Sequence, residues 1–121
     1  MRIAQVVARK GRCVWRLCAT GIEGHAGNAH ATSRNAVVEL ARAVLDTSQL
    51  TDYSEDVTVN VGTFSGGIGV NTVPGSAEAL VEMRAADGDV FERTARRIDE
   101  LMAVSSALPC AASSFGVGCV V

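Results

Sequence analysis

Residues 12–20, "RCVWRLCAT", set Cys13, Trp15, Leu17 and Ala19 on one side of an extended chain and Val14, Arg16, Cys18 and Thr20 on the other. A period of two predicts a strand. From Ser33 to Thr47 the apolar positions Val37, Leu40, Ala41, Val44 and Leu45 recur at helical spacing, with Thr32 or Ser33 available as the N-cap. "DVTVNVGTF" alternates Val57, Val59 and Val61 with Thr58 and Asn60, a second, half-buried strand, before the glycine-rich "SGGIGVNTVPG" interrupts the pattern. "SAEALVEMR" then turns Ala77, Ala79, Val81 and Met83 one way and Glu78, Glu82 and Arg84 the other, a third strand. After "AADGD", Asp89 and Glu92 have capping-box spacing, and Phe91, Ala95, Ile98, Leu101 and Met102 form the stripe of a second helix. In the tail, "GVGCVV" has the character of a last short strand.

The order β-α-β-β-α-β predicts an α+β protein, a ferredoxin-like two-layer sandwich with an antiparallel sheet and two helices on one face. Residues 1–121 read as one domain, with no internal repeat or boundary. Taking the right-handed crossover rule to make strands one and three parallel neighbours places His25 and Arg84 at one end of the sheet and Asn71 at the other.

Composition narrows the function. With 48% hydrophobic but only 4% aromatic residues, the core must be built of Val, Ala, Leu and Met. A net charge of −2 with no basic run argues against a nucleic-acid partner. No apolar stretch reaches the ~20 residues of a membrane span, and "MRIAQVVARKG" lacks a secretory h-region, so a soluble cytoplasmic protein is the expectation. Cys13, Cys18, Cys110 and Cys119 have no CxxC spacing and are expected as buried reduced thiols, Cys13 and Cys18 lying on opposite strand faces.

Both histidines fall in "GIEGHAGNAHATSRNA", ahead of the first helix. "ARKG" at 8–11, "HAGNAHATSRNAVVELARAV" at 25–44, "TVNVGTFSGGIGVNTVP" at 58–74 and "AEALVEMR" at 77–84 resemble, in order and spacing, the dimerisation or lid domain of the M20 family of zinc metallopeptidases, which includes glutamate carboxypeptidase-like and N-acyl-amino-acid-deacylating enzymes. The most specific pieces are HAG before a helix and GGxxxNxVP between strands. The resemblance implies a lid that forms a homodimer through its sheet and helix, beside a catalytic domain with two zinc ions that hydrolyses an amide next to a carboxylate in a small peptide or N-acyl amino acid. It implies that His25 polarises the scissile carbonyl, or stabilises the oxyanion, in the site of the neighbouring protomer, and that Asn71 and Arg84 hold the substrate carboxylate. The chemistry suits those roles, since an imidazole N–H donates to a developing oxyanion and a guanidinium grips a carboxylate bidentately.

The chain also departs from the family pattern. His30 and Ala31 stand where a proline and an acid are usual after HAGNA, which predicts a looser loop, and His30 matches no motif position. No HxD pair and no Glu-Glu is present, so no cofactor is expected in this chain and the zinc-binding domain is expected outside it. Gly66, Gly67 and Gly69 are assigned to backbone geometry, because no helix follows them to make a phosphate cradle. The charges of the second helix read as a solvated face, with pairs such as Glu92 to Arg96. The reading is a dimerisation and substrate-capping domain, not catalytic alone; the alternative is a free-standing ferredoxin-like module binding a small carboxylate or amino acid as a regulator.

Overall fold

The computed structural model describes residues 11–103 and 119–120. Strand β1 (Gly11–Thr20) leads through a two-residue strand β2 (Gly24–His25) to helix α1 (Ala36–Ser48). There follow β3 (Val57–Gly66), a second two-residue strand β4 (Thr72–Val73), β5 (Ser76–Ala85), helix α2 (Gly88–Ala103) and β6 (Cys119–Val120). The main sheet has the order β3-β5-β1-β6 with every neighbouring pair antiparallel, and β2 and β4 form a separate ladder. This is the expected α+β sandwich, with "GVGCVV" supplying the last strand at its Cys119–Val120 step.

Period-two patterning sorts the sheet into two faces. Cys13, Trp15, Leu17 and Ala19 of β1 are buried with Ala77, Ala79, Val81, Met83 and Ala85 of β5, Leu40 and Val44 of α1, and Phe91 and Ile98 of α2. Both helices therefore cover one face, and burying each large aliphatic side chain contributes about 1.5–3 kcal/mol. Trp15 is buried, and its indole N–H donates to Asp99 Oδ1 at 3.1 Å. Asp99 thus ties α2 to the sheet rather than belonging only to a solvated surface. Arg93 pairs across to Glu55 instead of along the helix.

Both helix caps differ from expectation. Asn35 caps α1 by accepting from the Val38 amide at 3.1 Å, and residues 30–32 form a separate 3-10 turn. Asp87 caps α2, its Oδ1 accepting from the Asp89 and Val90 amides at 2.8 and 3.1 Å. In each case the cap lies next to the first residue that the packing pulls into helical geometry, and composition alone offers several candidates within three residues.

The placement of the strand ends is also corrected. A crossover through α1 links β1 and β3, and it is these two that run parallel, with β5 antiparallel between them. Register pairs Thr20 with Ser76 and Arg12 with Arg84. Arg84 thus lies beside the start of β1, not its end.

Cys13 and Cys18 are disulfide-bonded, contrary to the reduced thiols expected. Five residues apart on one strand, roughly 16 Å, they are too far apart to be joined to each other. Cys119 stands opposite Cys13 in the β1–β6 register, a juxtaposition that spacing in the sequence does not reveal. Cys110 lies outside the described residues.

The open face of the sheet is lined by ion pairs. Arg12 donates to Glu82 and Arg16 to Glu78 across the β1–β5 ladder, and Arg84 chelates Glu82 through Nε and Nη2 at 3.1 and 3.3 Å. Hydrogen bonds from Arg84 first and Arg12 second hold the Glu82 carboxyl below the usual carboxylate range. A depressed folded-state pKa means that this stabilisation is present above the unfolded pKa and is lost as pH falls through the folded one.

At the end of β1 the chain packs backbone to backbone on the approach to α1. The Gly21 N–H donates to Gly75 O at 2.8 Å, and Ile22 and Arg34 exchange both backbone hydrogen bonds at 2.9 Å. A Cβ on Gly21 would lie 2.0 Å from the Arg34 carbonyl oxygen, so only glycine fits.

Two stability measurements follow. Gly21→Ala should cost about 1–3 kcal/mol in urea unfolding by overpacking, whereas Gly62→Ala, whose Cβ would meet nothing closer than 3.6 Å, should cost clearly less. Equal losses would place the constraint elsewhere. Glu82→Gln should lose less stability than the parent between neutral and acid pH; an unchanged acid slope would show that the Arg84 and Arg12 contacts do not act through Glu82.

Candidate functional site

The two-residue strands build the site. In the β2–β4 ladder Gly24 faces Val73 and His25 faces Thr72, and the Ala26 N–H donates to Asn71 O at 2.9 Å. Directly facing residues in such a ladder have Cα atoms about 4.5–5.5 Å apart, so the backbones of His25 and Asn71, one step out of register, lie close together. Val73 is buried, which anchors β4, and the carbonyl of Pro74 receives the Ala36 N–H at 2.9 Å, tying β4 to the first turn of α1. One scaffold therefore carries His25 and Asn71 at one end of the sandwich.

The HAGNA segment is a closed turn rather than a loose loop. His25 O accepts from the Ala29 N–H at 2.9 Å, and His25 Nδ1 accepts from the amides of Gly27 and Asn28 at 3.0 and 3.1 Å. This is the arrangement of a helix N-cap, with an imidazole nitrogen in the place usually taken by an Asp, Asn or Ser oxygen. Ser33 Oγ donates to Ala29 O at 2.6 Å and closes the far side. His30 and Ala31, which replace the residues usual in the family, sit in the following 3-10 turn without opening it.

His25 and Asn71 are both exposed, so their side chains are available to a ligand. Among the described residues only Asp56 combines a side chain with left-handed backbone, so Asn71 is not there to make a left-handed turn; Gly67 takes that role in the glycine-rich connection with φ of 92°. The Asn71 side chain has one weak contact, from the Thr72 hydroxyl at 3.5 Å.

Arg84 does not join them. It stands opposite Arg12, eight residues before the end of β1, roughly 27 Å of strand from the ladder that holds His25. The expected grouping is thus reversed: Asn71 is the neighbour of His25, and Arg84 is at the far end, engaged by Glu82. The backbone amides of Gly27 and Asn28 are site groups that the motifs do not point to. Their only signal in the sequence is a histidine two and three positions upstream, a residue type that seldom caps.

Among the described residues no group of three or more His, Cys, Asp or Glu side chains could hold a metal ion. None of the described helices is long and apolar enough to cross a membrane.

Comparison with known proteins agrees with this architecture. The family model described as a peptidase dimerisation domain matches residues 7–106. One of the subunits of p-aminobenzoyl-glutamate hydrolase from Escherichia coli (strain K12) is 34% identical over 100 residues, covering 82% of this chain and 22% of that protein. Indole-3-acetyl-aspartic acid hydrolase from Enterobacter agglomerans is 37% identical over 79 residues, 61% of this chain and 18% of its own length. The chain thus spans about a fifth of these curated relatives. Among solved structures, a putative amidohydrolase/peptidase from Burkholderia cenocepacia superposes with a TM-score of 0.73 at 27% identity, covering 92% of this chain and 27% of that one. An aminobenzoyl-glutamate utilization protein from Klebsiella pneumoniae gives 0.72 at 26% identity, covering 93% and 30%. With the family model spanning most of its length and the β2–β4 ladder carrying the HAG and NxVP motifs, the chain belongs to the M20 peptidase dimerisation-domain family.

Proposed function

We propose that this domain pairs with a second copy of itself and caps the active site of an M20-type zinc hydrolase, acting on an acylated amino acid whose free carboxylate lies next to the scissile amide. Both curated relatives carry the name of an acylated acidic amino acid, p-aminobenzoyl-glutamate or indole-3-acetyl-aspartic acid, and that is the substrate class we favour. The donor set of the described residues does not fit a two-zinc centre, so the metal ions and the hydrolytic step are assigned to a catalytic domain. His25 polarises the scissile carbonyl, and Asn71 and Arg84 hold the carboxylate. The alternative of a free-standing regulatory module has only the fold class in its favour.

The observation that carries this proposal is the separation of the site residues. With His25 and Asn71 on one scaffold and Arg84 roughly 27 Å of strand away, a small substrate can touch all three only if they come from two copies or are gathered by the larger domain. A dimer supplies the first arrangement, one copy lending His25 and Asn71 and the other Arg84. Arg84 must then exchange Glu82 for the substrate carboxylate, which its bidentate geometry permits.

The sheet also has a side suited to pairing. β3 is the terminal strand, and its first half is covered: Asp52 exchanges backbone hydrogen bonds with Val57, and Thr51 Oγ1 accepts from the Val59 N–H at 2.9 Å. From Val61 to Gly66 no segment other than β5 hydrogen-bonds the strand among the described residues. Phe64 is exposed on this half, and α1, which packs on β3, exposes Val38 and Leu45 one heptad apart. An open strand edge beside an apolar helix stripe is satisfied by a two-fold copy of itself.

The location expected from the sequence is the cytoplasm. The bonded state of Cys13 and Cys18 opposes it, because cytosolic thiols are kept reduced; alkylating thiols in intact cells before lysis distinguishes the two, and protected cysteines would refute the cytoplasmic assignment.

The dimer is tested by sedimentation equilibrium on the parent and a Leu45→Glu/Phe64→Glu variant, with circular dichroism to confirm folding. The parent should dimerise, and like charges placed against their symmetry mates should raise Kd by a hundredfold or more, about 2.8 kcal/mol. A monomeric parent at high concentration refutes the dimer, and an unaffected variant dimer refutes this surface.

A further inference from the structure

His25 spends one ring nitrogen on its own turn. A neutral imidazole has one N–H and one lone pair, and the lone pair of Nδ1 receives two amides, from Gly27 at 3.0 Å and Asn28 at 3.1 Å. A proton on Nδ1 would confront both amides and forfeit both hydrogen bonds. The proton of the neutral ring is therefore on Nε2, the nitrogen pointing away from the turn.

From this geometry we infer that His25 is a hydrogen-bond donor of fixed tautomer, positioned by the amides of Gly27 and Asn28, and that the atom it meets is an acceptor oxygen of a carbonyl or carboxylate. In this state the ring has no free lone pair. It neither abstracts a proton nor ligates a metal ion unless the turn opens, so it is excluded as general base and as zinc ligand. The assignment of a substrate oxygen as the acceptor rests on the function proposed above; the tautomer rests on the turn alone.

The same geometry gives the segment a second logic. Gly24, immediately before His25, leaves room for the Ser33 hydroxyl: a Cβ there would lie 2.1 Å from Ser33 Oγ and displace it from Ala29 O. The turn is thus closed from behind by packing and from within by the imidazole, so the Nε2–H direction is set by backbone. Asn71 carries the carbonyl that receives the next amide along, from Ala26.

Long-range proton–nitrogen correlation NMR on the folded chain at alkaline pH, where imidazole is neutral, tests the inference. His25 should show Nδ1 at the unprotonated and Nε2 at the protonated nitrogen position, with a tautomer ratio of roughly tenfold or more from two hydrogen bonds. His30, whose ring makes no hydrogen bond among the described residues, is the internal reference for an averaged ring. Averaged shifts at His25 matching those of His30, or a protonated Nδ1, overturn the inference. Adding zinc chloride should leave the His25 ring shifts in place, and a zinc-dependent shift at Nε2 likewise overturns it. Two variants read the positioning role through amide exchange at Gly27 and Asn28. His25→Asn, which keeps an acceptor where Nδ1 lies, should retain protection within about threefold, and His25→Ala should lose about tenfold. Unchanged protection in His25→Ala contradicts the role. A failed tautomer test leaves the dimer standing, and a monomeric chain leaves the tautomer standing.

Discussion

The β2–β4 ladder is the constraint on which the candidate site depends. Each of its strands has two residues, too short to persist alone, yet it joins the end of β1 to the turn before β5 and to the first residue of α1. Its strength comes from its surroundings: Val73 is buried, Gly21 admits the Arg34 carbonyl, and Pro74 offers its carbonyl to Ala36. Loss of any one of these would free the segment that holds His25. The main sheet, by contrast, is held by ordinary burial of Trp15, Leu17, Val81, Met83 and Ile98 beneath two helices, and would survive such a loss.

Much of this architecture is legible in the sequence, and what is legible depends on repetition. Ten-residue strands with alternating burial, such as β5, announce themselves through their period, and so does the α2 stripe around Phe91 and Ile98. Two-residue strands have no period to read. The sites of both caps escape the sequence for a related reason: Asn35 and Asp87 compete with Thr32, Ser33 and Asp89, and only the packing decides where the helix begins. The bonded state of Cys13 and Cys18 is likewise invisible, since spacing does not tell which cysteines meet in space.

The candidate site is legible by residue and misplaced by position. The motifs name His25, Asn71 and Arg84, but the crossover rule applied to the pattern alone makes β1 and β5 parallel instead of β1 and β3, which exchanges the neighbours of His25. The corrected placement gives the motifs a physical sense. HAG and NxVP belong together because one hydrogen-bonded ladder contains both, and the arginine lies apart because its strand runs the other way. The glycine and alanine content of the histidine segment, which reads as looseness, instead permits a tight turn that uses the imidazole as its cap.

That segregation is what makes pairing central. Under the proposed function, a domain that keeps its histidine and asparagine at one end and its arginine at the other would serve a small substrate as part of an assembly, and the uncovered half of β3 beside Val38 and Leu45 is the surface proposed for it. The most direct measurement is an isotope-filtered NOE experiment on an equal mixture of labelled and unlabelled chain. The account predicts intermolecular contacts confined to Val61–Gly66 and the exposed stripe of α1. Intermolecular contacts mapping to the ion-paired face of Arg12, Arg16 and Glu78, or none at concentrations where the chain is dimeric, would contradict it.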